Sequence, residues 1–281
     1  SSMVGGSGGA QAFRFYPMMH DELSFPLSQS FDATQLVVEP KISLTASPRI
    51  KNDTDIPNED SQDVQIDALN IFNDNRYPGI DRVEDKTHMT YGVRTGLYAD
   101  DGSLGEVFLG QSHRLDNGQN TFPIGSGLSE QSSDIVGEVI GRYKDIFTLN
   151  YKTQLNSESF SSERHELDGS FILGDVTFAS NYLYLRGLEG TDLTTSRQQI
   201  YSSISYMPTD DWRLSTAARY DFSDAQEGLR YADLGADYLG QCASLGVKAR
   251  RSFTFSNTGE NATEIVMQVG LKNLGTFGTN N

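Results

Sequence analysis

The stretch from Trp212 to Phe222 reads WRLSTAARYDF and alternates between two kinds of side chain. Successive residues of a β-strand point to opposite faces of the sheet. One face of this strand therefore carries Trp, Leu, Thr, Ala, Tyr and Phe, whereas the other carries Arg, Ser, Ala, Arg and Asp. The pattern predicts a strand that separates an apolar environment from an aqueous one.

The same two-faced pattern recurs at 147–156 and 264–272. Soluble sandwiches also alternate, so strand length and connection length are needed to tell the two classes apart. Strands of soluble proteins average about 5–6 residues, whereas a tilted crossing of a bilayer needs about 9–11. The longer value fits these segments and favours a membrane wall.

The predicted connections alternate strictly between short and long, as in transmembrane barrels with short periplasmic turns and longer external loops. The short ones lie at 100–103, 144–145, 174–175, 208–211 and 240–242. The long ones lie at 116–132, 156–164, 187–197, 223–229 and 256–262.

These patterns predict an all-β fold, a transmembrane up-and-down antiparallel outer-membrane β-barrel. Eleven strands are expected between His88 and Leu274, and two more at 22–28, interrupted by Pro26, and 35–46. Closed bacterial barrels have even strand numbers, so a total of about thirteen favours the C-terminal part of a larger barrel. The predicted organisation is linker or expression-derived residues at 1–12, the barrel region at 13–277 with a long extracellular loop at about 48–87, and a tail at 278–281.

Composition excludes two classes of protein. The chain has no run of 18 apolar residues, so it has no helix suited to crossing a bilayer. Its formal net charge of −16 argues against a nucleic-acid binder, which needs a basic surface to displace counterions from phosphates.

No cofactor is expected, since no metal-binding Cys/His pair, phosphate loop or dinucleotide fingerprint is present. The acidic stretch at 52–67 offers a weak possibility of a cation site at Asp53, Asp55 and Asp60, but its spacing is irregular and a solvated loop is favoured. The four histidines are scattered and none adjoins a nucleophile-elbow pattern, so an enzyme is not expected.

Several segments resemble the C-terminal barrel region of the lipopolysaccharide-assembly family LptD, also called the organic solvent tolerance protein family. They are DIPNEDS at 55–61, NIF at 70–72, NRYPGIDR at 75–82, YGVR at 91–94, GQS at 110–112, FP at 122–123, GSGL at 125–128, and the segments 240–253 and 267–275. The most specific is the run 70–82, which includes the family-like loop residues Asn75, Arg76, Tyr77, Pro78, Gly79, Asp81 and Arg82. The resemblance covers nearly everything after the glycine-rich start.

The resemblance implies lipopolysaccharide translocation into the outer leaflet of a Gram-negative outer membrane. The implied partners are lipopolysaccharide, outer-membrane lipid, an LptE-like plug lipoprotein, and a periplasmic bridge that docks on an N-terminal domain missing from this chain. It also implies that 263–273 is one lip of a lateral gate, with the gate-strand residues Thr263, Ile265, Met267, Val269, Gly270, Leu271 and Asn273. Gly270 either weakens that seam or relieves crowding in the lumen.

Two further sets of residues follow as hypotheses. Lumen-facing cations could contact lipid phosphates or the plug protein, or could balance acidic residues across the lumen; they are Lys152, Arg213, Arg219, Lys248, Arg250 and Lys272. Many family members carry paired cysteines at the turn where this chain has Gln241 and the single Cys242, so the resemblance implies that one disulfide to the missing periplasmic domain is possible and two are not. The alternative functions are a passive porin, an outer-membrane barrel hydrolase and a soluble all-β binding protein.

Overall fold

A single antiparallel sheet makes up the fold. The structure, a computed structural model, describes residues 15–48, 52, 65–117, 122–187, 194–223, 227–253, 261–271 and, for the backbone alone, 275–278. The strands are β1 (Met19–Ser24), β2 (Leu27–Phe31), β3 (Thr34–Ala46), β4 (His88–Ala99), β5 (Leu104–Arg114), β6 (Ile135–Tyr143), β7 (Phe147–Leu155), β8 (Ser162–Leu173), β9 (Val176–Leu185), β10 (Arg197–Thr209), β11 (Trp212–Asp221), β12 (Gly228–Leu239), β13 (Ala243–Ser252), β14 (Ala262–Leu271) and β15 (Gly275–Gly278).

Each strand from β3 onward pairs with the next strand in the chain, as an up-and-down arrangement requires. The all-β prediction is confirmed, and so are the eleven strands expected between His88 and Leu274, which are β4 to β14. The connections alternate in length as predicted, from four residues or fewer to six or more. Within the described residues β1 and β15 do not pair with each other, so the sheet has two ends.

The predicted total of thirteen strands is wrong at both ends of the sheet. β1 and β2 follow one register along β3, but two prolines interrupt the ladder between them. Phe25 N–H donates to Pro40 O at 3.1 Å, and the return bond is missing because Pro40 has no N–H. The second additional strand is β15, whose four residues pair with the end of β14.

The register assigns every strand residue to one of two faces, because paired residues of an antiparallel ladder point to the same side. The polar face carries, among others, Lys41, Arg94, Glu106, Glu138, Lys152, Glu166, Asn181, Gln199, Arg219, Asp233, Arg250 and Glu264. The apolar face carries, among others, Ile42, Val93, Leu109, Val139, Tyr151, Leu167, Tyr182, Ile200, Tyr220, Leu234, Val247 and Met267.

The buried core lies on the polar face and not between two sheets. It forms where the loops 65–87 and 122–134, named here the two-loop layer, pack on β3 to β7. Its members are Ile66, Ala68, Ile71, Tyr77, Phe108, Phe122, Leu128 and Val136. Two of them, Phe108 of β5 and Val136 of β6, are strand residues on the polar face, and they belong to the same buried cluster as the loop residues.

Candidate functional site: the two faces of the sheet and the two-loop layer

The apolar face lies uncovered. Its residues near the middle of the strands remain largely accessible, with Leu234 68%, Ile265 65% and Met267 56% exposed. A soluble sheet covers such a face with a second layer, whereas contiguous exposed apolar surface of this extent marks contact with a membrane or a partner. The described residues provide no second layer, so the predicted alternation leads to an exposed wall and not to a sandwich.

Aromatic residues border the apolar face at both strand ends. Toward the short turns these are Phe31, Tyr143, Phe147, Phe171, Phe178, Tyr206, Trp212 and Tyr238. Toward the long loops they are Tyr91, Tyr182, Tyr184 and Tyr220, while Tyr151 lies at the middle of β7. The eight residue-to-residue steps from Trp212 to Tyr220 advance about 27 Å along the strand, or about 20 Å across a membrane after the usual barrel tilt. That distance approaches the apolar band of outer-membrane barrels, about 25 Å.

Ion pairs across neighbouring strands organise the polar face. Arg213 Nη2 lies 2.9 Å from Asp237 Oδ2, and Arg250 Nη2 lies 3.0 Å from Asp233 Oδ2. Both are direct cross-strand pairs in the register. Asp221 is paired with Arg230, a residue in the bulge of β12 that alternation alone did not identify. Two of the predicted cations thus balance acidic residues of neighbouring strands.

Three other predicted cations have no such ion pair. Lys152 lies between Glu138 and Glu166 in the register, Lys248 lies beside Gly235, and the Arg219 guanidinium stacks 5.4 Å from the ring centre of Tyr231. Within the described residues, no carboxylate lies within 4 Å of any of these three cationic groups. The sixth, Lys272, lies outside the described residues.

A polar groove of about 620 Å³ runs along β10 to β14. Its lining combines charged groups with a row of small residues: Tyr201, Ser203, Ser205, Arg213, Ser215, Ala217, Asp233, Gly235, Asp237, Gly246, Lys248, Arg250, Glu264, Val266 and Gln268 are among them. A Cβ at Gly235 would lie 2.5 Å from Ser215 Oγ, and one at Gly270 would lie 2.5 Å from Ser244 Oγ. The glycines of β12 and β14 thus lie directly beside serine hydroxyls of the neighbouring strand on the polar face.

The two-loop layer is fastened by a buried ion pair. Arg76 Nε donates to Glu84 Oε2 at 2.8 Å, a second guanidinium nitrogen contacts Glu84 Oε1, and both side chains are 1% exposed. His88, the first residue of β4, places Nδ1 3.2 Å from the same carboxylate and 3.1 Å from Lys86 O. A bidentate Arg–carboxylate pair fixes orientation as well as charge. Loop 65–87 is therefore held in one position at the long-loop end of the sheet, next to the start of β4. This position is called the seat of the loop below.

The family-like loop residues shape this seat. Asn75 holds the loop closed, since its side chain donates to Arg82 O at 3.2 Å and accepts from Glu84 N at 3.1 Å. Tyr77 stacks on Phe122 of the other loop with ring centres 4.5 Å apart. Gly79 has a φ of 76°, the left-handed region that glycine adopts without strain. Pro78, Asp81 and Arg82 also make contacts within the structure.

The second loop is joined to the wall through Asp134. Its Oδ2 accepts a hydrogen bond from Gln154 Nε2 at 2.7 Å, and Gln154 belongs to the polar face of β7. Burial raises the pKa of the Asp134 carboxyl, and the bond from Gln154 opposes that rise only in part. Gly127, with a φ of 78°, fits between Ile66 and Gln154, where a Cβ would meet both at under 3 Å.

The predicted gate strand is β14. Thr263, Ile265, Met267, Val269 and Leu271 share the apolar face, whereas Gly270 lies on the polar face. β15 pairs only with Gln268 to Leu271, so in the described chain residues 262–267 are bonded to β13 alone. Asn273 lies outside the described residues.

The structure gives less information about the other predicted sites, Cys242 and the possible cation site. Cys242 is exposed in the short turn between β12 and β13 and its thiol is free. Asp53, Asp55 and Asp60 fall outside the described residues, and the residues that are described contain no group of three His, Cys, Asp or Glu placed to hold a metal ion. No helix in that part of the chain has the length and apolar character to cross a membrane.

The histidines occupy separate places. His20 Nδ1 lies 2.8 Å from Thr45 Oγ1, His113 Nδ1 lies 2.9 Å from Ser132 Oγ, and His165 Nδ1 lies 2.7 Å from the Tyr151 hydroxyl. His88 contacts Glu84, as described above. A hydrolase triad needs one histidine between a nucleophile and a carboxylate. No described histidine has both neighbours within hydrogen-bond distance.

Comparison with known proteins identifies one family. The family model for LPS transport system D, LptD, matches residues 11–190. The LPS-assembly protein LptD of Psychrobacter cryohalolentis is 27% identical over 260 residues, which cover 85% of this chain and 24% of that protein. The LPS-assembly protein LptD of Neisseria gonorrhoeae is 26% identical over 258 residues, 86% of this chain and 31% of that protein. The chain thus spans about a quarter to a third of the length of these relatives.

Proposed function

The chain belongs to the LptD family, LPS transport system D, and from this premise we propose that it forms part of an outer-membrane barrel wall that delivers lipopolysaccharide to the outer leaflet. The observation that carries the proposal is the uncovered apolar face of a single-layered sheet, with aromatic residues at both strand ends. In the proposed setting hydrocarbon contacts this face and the aromatic side chains lie at the two membrane interfaces. The long loops then face outward and the short turns face the periplasm.

A wall of this kind is completed by further strands. A sheet edge in hydrocarbon leaves backbone N–H and C=O groups unsatisfied, at a cost of several kcal/mol each. The free sides of β1, β2 and β14 therefore require partners, which we propose are strands of the same barrel. The share of the relatives' length that this chain covers agrees with a partial barrel.

The polar face is then the wall of the lumen. We propose that an LptE-like plug lipoprotein and the saccharide part of lipopolysaccharide contact this face. Lys152 and Lys248 are the suited cations, because Arg213 and Arg250 are committed to Asp237 and Asp233. The two-loop layer would close the external end of the lumen along β3 to β7.

The strand β14 is the proposed gate strand. Residues 262–267 have a free backbone side within the described chain, so a strand from the missing part of the barrel could pair there and separate again. Cys242 lies on the proposed periplasmic side, where oxidation is permitted, and its exposed thiol could form one disulfide to a periplasmic domain.

We propose transport and not catalysis, in the outer membrane of a Gram-negative bacterium. A passive porin is the second candidate, since charged residues line the polar groove of β10 to β14. The two are separated by depleting the full-length protein in its host and measuring lipopolysaccharide at the cell surface and in the periplasm. Transport predicts that lipopolysaccharide accumulates before the outer leaflet, whereas normal surface lipopolysaccharide with reduced small-solute uptake would establish the porin.

A further inference from the structure

A polar aromatic cluster interrupts the apolar face near its long-loop end. The Tyr151 and His165 rings stack with centres 5.8 Å apart and an interplanar angle of 11°, and Tyr184 follows with its ring centre 5.9 Å from that of His165. Tyr151 belongs to β7, His165 to β8 and Tyr184 to β9, and all three point to the apolar face. Tyr151, His165 and Tyr184 are called the outer cluster below.

Hydrogen bonds join His165 to two hydroxyl groups of the neighbouring strand β7. The Tyr151 hydroxyl lies 2.7 Å from His165 Nδ1, and Thr153 Oγ1 lies 3.1 Å from the same atom. A hydroxyl can donate to an imidazole nitrogen or accept from one, so these contacts fit a ring proton on either nitrogen. The other ring nitrogen, Nε2, makes no hydrogen bond to a described residue.

The surroundings change sharply at this level of the wall. Toward the short turns the same face continues with Leu167 and Phe171 on β8 and with Tyr182 and Phe178 on β9. Leu167, Phe171 and Phe178 are each about two-fifths exposed. Toward the long loop Arg186 Nη1 donates to Glu163 Oε1 at 2.6 Å and to Ser161 Oγ at 3.1 Å. The Arg186 side chain is still 49% exposed. The outer cluster therefore lies where apolar surface gives way to charged surface.

We propose that the outer cluster binds the headgroup of a phosphate-bearing lipid in the membrane leaflet on the long-loop side. The polar ring nitrogen of His165 and the Tyr184 hydroxyl need hydrogen-bond partners from the lipid if this face contacts hydrocarbon, because a polar group left unsatisfied there is costly. Phosphate oxygens are strong acceptors, and a nearby guanidinium suits them further. The Tyr184 hydroxyl would donate to the phosphate, and so would His165 Nε2 when it carries the ring proton. Arg186 uses only Nη1 for Glu163 and Ser161, so its other N–H groups would add a charge-assisted contact, while the acyl chains lie along Leu167 and Phe178.

This inference rests on the proposed membrane wall and adds a specific lipid contact to it. Site-directed photo-crosslinking tests it in the full-length protein, reconstituted in phosphatidylethanolamine vesicles that contain lipid A as the phosphorylated probe. A photoreactive phenylalanine derivative replaces Leu167, next to the outer cluster. The matched control replaces Leu214, which lies on the same face but near the short turns and is 44% exposed.

The expected result is a lipid A adduct at position 167 that exceeds the one at 214. His165→Phe, which keeps an aromatic ring but removes the donor, should reduce the adduct at 167 about tenfold, and dephosphorylated lipid A should form little adduct. Arg186→Gln should reduce it less, and this exposed position keeps the test valid if His165→Phe disturbs folding. An adduct at 167 unaffected by either variant, or equal with dephosphorylated lipid A, would overturn the inference. Failure of the wild-type protein to insert into vesicles would instead refute the proposed membrane wall.

Discussion

Arg76 and Glu84 form a two-point ion pair that is 1% exposed on both sides, although both residues belong to one loop. A pair so deeply buried costs desolvation free energy that its attraction only partly repays. Its consequence here is conformational, because it closes loop 65–87 on itself and presents Glu84 to His88 at the start of β4. The pair thereby fixes the seat of the two-loop layer on the polar face.

Glu84→Ala should release the two-loop layer from the wall. The substitution leaves the Arg76 guanidinium buried without its carboxylate, which typically costs about 3–5 kcal/mol. We expect rapid protease cleavage within 65–87 and a lower thermal midpoint for the full-length protein in detergent. Arg186→Ala is the matched control, because that ion pair is exposed and should change stability by under about 1 kcal/mol. Equal protease resistance of Glu84→Ala and wild type would contradict the assigned role.

Gly127→Ala should be more damaging than Gly102→Ala, although both glycines have a positive φ. The left-handed conformation costs an alanine about 1–2 kcal/mol at either position. At Gly127 the new Cβ also lies 2.5 Å from Ile66 Cγ2 and 2.6 Å from Gln154 Nε2, whereas at Gly102 nothing lies within 4 Å. Overpacking should add about 1–3 kcal/mol at Gly127 only. Thermal midpoints of the two variants in detergent measure the difference, and equal midpoints would refute this packing.

The attachment of the loop 122–134 should weaken as pH rises. Burial raises the pKa of Asp134, so its carboxyl binds a proton more tightly in the folded protein than in the unfolded chain. Below the ordinary carboxyl pKa the protonated Asp134 contributes its full share of folding stability. This contribution is lost as pH rises through the raised pKa of the folded protein, and the loss is complete above that pKa. Asp134→Asn keeps an acceptor for Gln154 and should flatten this part of the pH profile of the thermal midpoint. A profile unchanged by the substitution would show that Asp134 is not its source.

A charge on the apolar face should be tolerated poorly and one on the polar face well. Leu234→Arg places a guanidinium at the middle of β12 on the exposed apolar face, which should cost about 2–4 kcal/mol in a bilayer. Ser203→Arg, its control, points into the polar groove of β10 to β14, which has room for it. Recovery of folded full-length protein from outer membranes should fall for Leu234→Arg alone. Similar recovery of both variants would count against a hydrocarbon environment for the apolar face.

Alternation and connection length predicted the strands β4 to β14 because both are properties of residues that are close together in the sequence. Each residue there meets lipid or lumen according to its position in a two-residue repeat. In the stretch 212–221 that repeat places Leu214 on one face and Arg213 on the other, as the structure does. The interruption of the strand at Pro26 could also be predicted from the local sequence. That Pro40 interrupts the same ladder depended on the register, which places it opposite Phe25.

The candidate site was less accessible to such reasoning. The resemblance drew attention to Arg76, but nothing in the order of residues indicated that it pairs with Glu84 beneath a folded loop. Arg230 was missed because the β-bulge in β12 shifts it out of the alternation and brings it to Asp221. The outer cluster was missed for a related reason, since its three residues come from three strands and meet only through register.

The sequence by itself determined the strand pattern, the two faces and the family, because each is written in neighbouring residues or in short ordered motifs. Only the tertiary structure decided that the loops 65–87 and 122–134 pack on the polar face and that Tyr151, His165 and Tyr184 form one cluster. Those contacts join residues far apart in the chain. Their free energy depends on burial and on strand register, which no local segment specifies.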